Sequence, residues 1–258
     1  MLYVIPLVVK NDMVLCCNYR VFQEVNMNKT IIAVGGAGFS RSEFVLERYI
    51  LSQAEKAKPS VLFVPTASGD SPNYITLFYD TFNQLPCIPH HLSLFNPPKH
   101  VSLEEYVLSH DVIYVGGGNT KNLLVLWRAW GLDVIMRKAW EQGIVLAGSS
   151  AGSLCWFEQG ITDSLPHALT VLDGLGFLPG SNCPHYNDEG ERRPSYQKFL
   201  TSGEIKPGVA QDQYVALHYR DTKLHRVVSC VSDQHAYAVS VDDRAKVVEL
   251  PIMAEKIS

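Results

Sequence analysis

Short, continuously apolar runs alternate along this chain with longer stretches of helical spacing. Ile31–Val34, Val61–Val64, Val112–Val115 and Ile144–Ala147 are apolar, largely β-branched segments of strand length with no polar alternation. A strand without a polar face is covered on both sides, so these runs predict a parallel sheet between two layers of helices. Helices are predicted over Ser42–Ala57, Tyr74–Leu85, Thr120–Trp130 and Leu132–Glu141, and a short one over Ala151–Glu158; His91–Phe95 gives a weaker strand signal. After about residue 210 the rhythm changes. Tyr214–Tyr219, Arg226–Val231, Ala236–Val241 and Lys246–Leu250 are short β-like runs between polar turns, which predict an antiparallel extension. The expected fold class is therefore α/β, a parallel sheet flanked by helices with a C-terminal antiparallel β extension.

The first convincing core strand begins only at Ile31. Residues 1–26, which end just before a second methionine at Met27, read either as an extra edge strand or as an extension outside a single domain spanning 27–258. Their apolar start lacks the basic segment and the small-residue cleavage site of a signal peptide. No apolar run approaches the ~20 residues a membrane helix needs. Hydrophobic residues make up 47% and charged residues 19% of the 258, which excludes a disordered or fibrous chain. The formal net charge is −4, and no basic stripe is present, so a nucleic-acid partner is not expected. The six cysteines form no C-x-x-C pair, and several sit in apolar runs as small hydrophobes; the expected compartment is the cytoplasm.

In parallel α/β sheets ligands bind beyond the carboxyl ends of the strands, and three glycine-bearing turns fall there: Gly35–Gly38, Gly116–Gly118 and Gly148–Gly152. Gly148-Ser-Ser-Ala-Gly152 fits G-x-S-x-G with Ser150 at its centre. In that arrangement a sharp strand-to-helix turn presents the serine hydroxyl, and the Ala151 amide faces a developing oxyanion. The same residues also serve as a structural helix cap. Gly116-Gly-Gly-Asn-Thr120 exposes backbone amides that could complete an oxyanion hole through Gly117 or Gly118, or forms a tight turn capped by Asn119 or Thr120. Of nine histidines, His185 stands out in a loop-like stretch, Asn182-Cys-Pro-His-Tyr-Asn187, followed by the charged run Asp188-Glu-Gly-Glu-Arg-Arg193. No H-E-x-x-H, H-x-H or Cys/His cluster occurs at ligand spacing, so no metal is expected.

Together, Val115–Thr120, Gly148–Gly152 and Pro184-His185 with its arginine-bearing sequel resemble the peptidase E and cyanophycinase family of serine hydrolases, from about Met27 to about Val248. The resemblance implies a fold similar to class I glutamine amidotransferases and cleavage after an N-terminal aspartate in small peptides, or of aspartate-rich polymers. Position by position it implies Ser150 as nucleophile, His185 as general base, Gly117 or Gly118 with Ala151 as oxyanion donors, and Asp212 as the orienting acid. Ungapped register places Gln211 opposite the family's carboxylate. Arg193 resembles the arginine that holds the substrate's acidic side chain, with Arg192 as the fallback; Asn119 joins the substrate-binding set. No metal or organic cofactor is implied, and the expected partner is a small peptide, the chain acting as a monomer or homodimer without nucleic acid or membrane. Two rivals share these residues. An α/β-hydrolase esterase would run Ser, Asp, His through Ser150, Asp212 and His235, and a non-catalytic binding protein would use the same cleft.

Overall fold

Two sheets organise the described residues, and the candidate site residues Ser150 and His185 lie where they meet. The computed structural model describes residues 29–36, 39, 43–97, 99 and 102–258. The expectations for residues 1–26 lie outside these. In chain order the first half contains β1 (Thr30–Val34), α1 (Val45–Ser52), β2 (Ser60–Val64), α2 (Pro72–Phe82), β3 (Ile88–His91), α3 (Leu103–Leu108), β4 (Val112–Val115), α4 (Thr120–Trp130), α5 (Leu132–Glu141) and β5 (Val145–Ser149). The second half adds α6 (Ala151–Leu154), β6 (Phe157–Thr162), β7 (Thr170–Asp173), β8 (Leu178–Cys183), α7 (Arg192–Ser202) and β9 (Gly208–Gln211). It ends with β10 (Val215–Arg220), β11 (Lys223–Ser229), β12 (Ala236–Val241), β13 (Val247–Ile252) and β14 (Glu255–Lys256).

Among the described residues the larger sheet has the order β14-β11-β10-β1-β5-β4-β2-β3. Its β1, β5, β4 and β2 run parallel, as the apolar runs predict, and β3 joins β2 in the same sense over Ile88–His91 rather than the expected His91–Phe95. Alternate residues of one strand enter different cores. Ile31 and Ala33 face a cluster built with Leu123, Trp127, Met136 and Trp156, whereas Ile32 and Val34 face Leu46, Ile50, Phe78 and Phe82. Helices α4 and α5 thus cover one face and α1 and α2 the other, which is why these strands tolerate no polar position. Helix α4 is stopped by Gly131 at φ 69°, a left-handed C-cap conformation that glycine accepts without a Cβ clash.

The strands after residue 210 do not form one extension. Strands β10 and β11 continue the larger sheet, β10 antiparallel to β1 and β11 antiparallel to β10, because Val215, Ala216 and Leu217 bury against both cores. Strands β12 and β13 instead close a second sheet of order β13-β12-β9-β8-β6-β7. This sheet has its own core with α7, made by Ile161, Cys183, Tyr186, Tyr196, Leu200, Ala210 and Val239. The helix expected over Ala151–Glu158 is only four residues long. Trp156 and Phe157 turn into the larger core, and the chain leaves as β6 to pair with β8.

Candidate active site

The turn after β5 is a forced conformation. Ser150 sits at φ 57°, ψ −108°, a region a non-glycine residue enters at a cost of about 1–3 kcal/mol. Its amide donates to the Val34 carbonyl at 3.0 Å, and its carbonyl accepts from Ser153 and Leu154, each at 2.9 Å. The flanking glycines are required by close approach. A Cβ on Gly148 would lie 2.4 Å from the Gly152 carbonyl oxygen, and one on Gly152 would lie 2.2 Å from that of Val115. Steric constraint from β4 and β5 therefore aims the Ser150 side chain out of the sheet at the start of α6.

His185 reaches that serine from the other sheet. It follows β8 and Pro184, lies at φ 57°, and is pinned by its amide donating to the Gly35 carbonyl at 3.1 Å. Its Nε2 is 2.9 Å from Ser150 Oγ. The ring lies so close to the chain after β1 that a Cβ on Gly36 would meet its Cε1 at 2.4 Å. Burial lowers the His185 pKa from the ordinary histidine value, with Arg192 acting in the same sense and Glu189, Asp188 and Asp163 opposing. A neutral ring accepting the serine proton at Nε2 carries its own proton on Nδ1, and Nδ1 is buried without a hydrogen-bond partner.

Three expected residues are placed differently from one another. Asp212 is buried just beyond β9, but it makes no hydrogen bond or ion pair with His185. Its Oδ2 accepts from the His235 amide at 3.0 Å and the Tyr237 hydroxyl at 3.4 Å, so the carboxylate is turned to the start of β12. Burial raises its pKa, against the His235 and Asn187 hydrogen bonds. Gln211, the register alternative, is engaged elsewhere: its amide bridges Ser153 Oγ at 2.9 Å and Asn182 Nδ2 at 2.7 Å beneath the elbow. The carboxylate that does approach His185 Nδ1 is Glu189, whose Oε1 lies 3.8 Å away. The His235 imidazole is not what pairs with Ser150, so the Ser, Asp, His order of the esterase alternative is not the arrangement found.

Ser150 and His185 open onto a cleft of about 260 Å³ that is also lined by Gly118, Asn119, Asp163, Ser164, Glu189 and Arg192. Arg192, not Arg193, is the cleft arginine. Its side chain is 4% exposed; Nε donates to Glu189 Oε2 at 2.7 Å, Nη2 lies 3.5 Å from Asp163 Oδ1, and Nη1 donates to the Ile161 carbonyl at 3.1 Å. Arg193 points to the outer side of α7, where it binds Glu249 and Asn187 and lies over the Tyr186 and Tyr237 rings. Asn119 caps α4 by accepting from the Asn122 amide at 2.9 Å, and its Nδ2 donates to the Ser164 carbonyl, also at 2.9 Å. Its visible work is to join α4 to the loop after β6. Of the two oxyanion glycines, Gly117 donates its amide to the Tyr74 hydroxyl at 3.3 Å, and Gly118 is the one that lines the cleft. Asp163 and Ser164 carried no motif in the sequence. Glu189 had one usable signal, its spacing of four residues from His185.

Fold and cleft describe a hydrolase-like α/β protein, with a serine and a histidine brought together at the carboxyl end of a central parallel strand. The chain belongs to peptidase family S51, whose model matches residues 31–227. It is 50% identical over 226 residues to an uncharacterized peptidase, YgaJ, of Bacillus subtilis strain 168, covering 87% of this chain and 97% of that protein. A peptidase E of Shewanella amazonensis is 28% identical over 151 residues, covering 54% of this chain and 61% of that one. In fold, it superposes on the crystal structure of a peptidase from an acI-B1 actinobacterium with TM-score 0.65 at 20% identity, covering 90% and 97% of the two chains. Among the described residues no helix is long and apolar enough to cross a membrane, and no group of three or more His, Cys, Asp or Glu could hold a metal ion.

Proposed function

We propose that this peptidase is a serine exopeptidase that removes an N-terminal aspartate from small peptides, working on the cytoplasmic pool through an acyl-enzyme. The observation that carries the reading is the 2.9 Å contact between His185 Nε2 and Ser150 Oγ at a strained turn. Ser150 Oγ attacks the scissile carbonyl carbon and passes its proton to His185 Nε2. The tetrahedral oxyanion is held by backbone amides, Ala151 at the start of α6 with Gly118, or with Gly117 once its bond to Tyr74 is released. His185 then gives the proton to the leaving amine as the C–N bond breaks. Water, deprotonated by the same ring, cleaves the ester and restores Ser150.

The cleft's charges support the specificity. A buried guanidinium grips a carboxylate through two parallel hydrogen bonds, and Arg192 is the guanidinium beside Ser150. Asp163 supplies negative charge at the same opening for a free α-ammonium group, which favours substrates cut after their first residue. The similarity to class I glutamine amidotransferases that the resemblance implies is compatible with an elbow at the end of a central parallel strand. The test is hydrolysis of a dipeptide panel with the first residue varied. Asp-X peptides are expected to be turned over fastest, and N-acetylated Asp-X to be refractory; a preference for neutral or basic first residues would refute the aspartyl assignment and leave the serine mechanism standing.

A further inference from the structure

Resting on the serine-peptidase reading, we infer that Glu189 is the positioning residue for His185, holding the Nδ1 edge of the imidazole and tying it to Arg192. The neutral ring that accepts from Ser150 must place its Nδ1 proton somewhere, and that buried atom has no hydrogen-bond partner. Glu189 Oε1 is 3.8 Å from it, the one carboxylate in ion-pair contact with this ring among the described residues. The separation is set locally, because the Glu189 amide donates to the His185 carbonyl at 3.2 Å and closes a turn between them. The other oxygen, Oε2, is fixed by Arg192 Nε at 2.7 Å, and Arg192 is itself anchored on the Ile161 carbonyl. One carboxylate thus has one oxygen on the guanidinium and one turned toward the base. Such contacts are commonly long in a substrate-free site and tighten in the Michaelis complex. Asp212 makes no ion pair or hydrogen bond with this ring: its Oδ2 accepts from His235 and Tyr237, and its Oδ1 is buried without a hydrogen-bond partner.

The chemistry follows from the link. When the Ser150 proton moves to Nε2 the ring becomes cationic, and a carboxylate at Nδ1 stabilises that charge. A substrate carboxylate that binds Arg192 competes with Glu189 for the guanidinium and releases Glu189 toward the ring. An acidic first residue is then felt in kcat as well as in KM. The charged groups that bear on His185 are Glu189 and Asp188 in its own loop, Arg192 on α7 and Asp163 after β6.

The experiment compares full-length wild type, Glu189→Gln, Glu189→Asp and Asp212→Asn, by Ser150 labelling with a fluorophosphonate against pH and by NMR titration of the His185 ring. In wild type the acid limb lies below the ordinary histidine value of 6.5, because burial favours the neutral ring. Glu189 raises the His185 pKa, so its replacement by Gln moves both the limb and the NMR pKa to still lower pH and slows labelling by roughly tenfold or more, as for loss of a positioned acid–base partner. Glu189→Asp restores the limb toward wild type, at an unchanged melting temperature. Unchanged limb and NMR pKa in Glu189→Gln, or a larger downward shift in Asp212→Asn, overturns the assignment. A wild type that does not label overturns the serine reading, and the NMR titration still decides the role of Glu189.

Discussion

The turn around Ser150 and the segment from His185 to Arg193 meet at one 2.9 Å contact but are held by different physics. The turn is fixed by backbone sterics: Gly148 and Gly152 let β4, β5 and α6 approach to distances a side chain would block. Its partners, Val34 and Val115, are core strand residues, fully or nearly buried. The His185 segment is fixed by polar and charged contacts with distant parts of the chain. Arg192 reaches Ile161 and Asp163, Arg193 reaches Glu249, and Asp188 accepts from the Gln213 amide at 2.8 Å. The nucleophile is thus positioned by volume, and the base by charge together with one close contact on Gly36. Charge removal, pH and salt should act on the second region alone, and added atoms should reach it only through that contact.

The sharpest way to separate them is to delete the reacting atom. Ser150→Ala should lose on the order of 10⁶ in turnover, the scale for removing a triad serine, with an unchanged melting temperature, whereas Ser149→Ala, whose residue is the last of β5, keeps much of the activity. Equal loss in two well-folded variants would leave the nucleophile unassigned. A smaller effect tests the charged side. Arg192→Ala should cost ~2–5 kcal/mol in kcat/KM on Asp-X substrates, the range for removing one partner of a buried charge pair, and far less on substrates with a neutral first residue. Arg193→Ala, outside the cleft and 44% exposed in its side chain, should leave that preference intact; the reverse result would return the role to Arg193. Smallest is Gly36→Ala. The new methyl at 2.4 Å from Cε1 pushes the imidazole aside, and a displacement near 1 Å costs ~10² in rate. Circular dichroism and the melting curve should barely move, so a large destabilisation would show that the glycine serves the fold.

The division between turn and segment is also the division between what could be read early and what could not. The parallel strands announce themselves because both of their faces are buried, and G-x-S-x-G is legible because its constraints come from residues within a few positions. The second sheet hid in plain composition. Strand β8 contains Pro179 and Gly180 and β6 carries Glu158 and Gln159, so neither matches an apolar or alternating template. They become strands because they pair with each other and with β9. Helix α7 buries only Arg192, Tyr196 and Leu200, too narrow a stripe to stand out from a polar loop. The family resemblance brought Asp212 into consideration and ungapped register brought Gln211, and neither says which way a side chain turns.

Taken by itself, the sequence determined the larger sheet's parallel core, the serine at the end of an apolar strand and the loop that holds His185. Each depends on local periodicity or on glycines a few residues apart, and such constraints are written in order along the chain. Only the tertiary structure decided that Arg192 rather than Arg193 enters the cleft, that Asp163 and Ser164 line it, and that Glu189 rather than Asp212 approaches the imidazole. Adjacent residues on a helix differ in direction by about 100°, so the choice between two arginines depends on which face α7 turns to the second sheet. That face is set by contacts between residues tens of positions apart, and no local pattern records them.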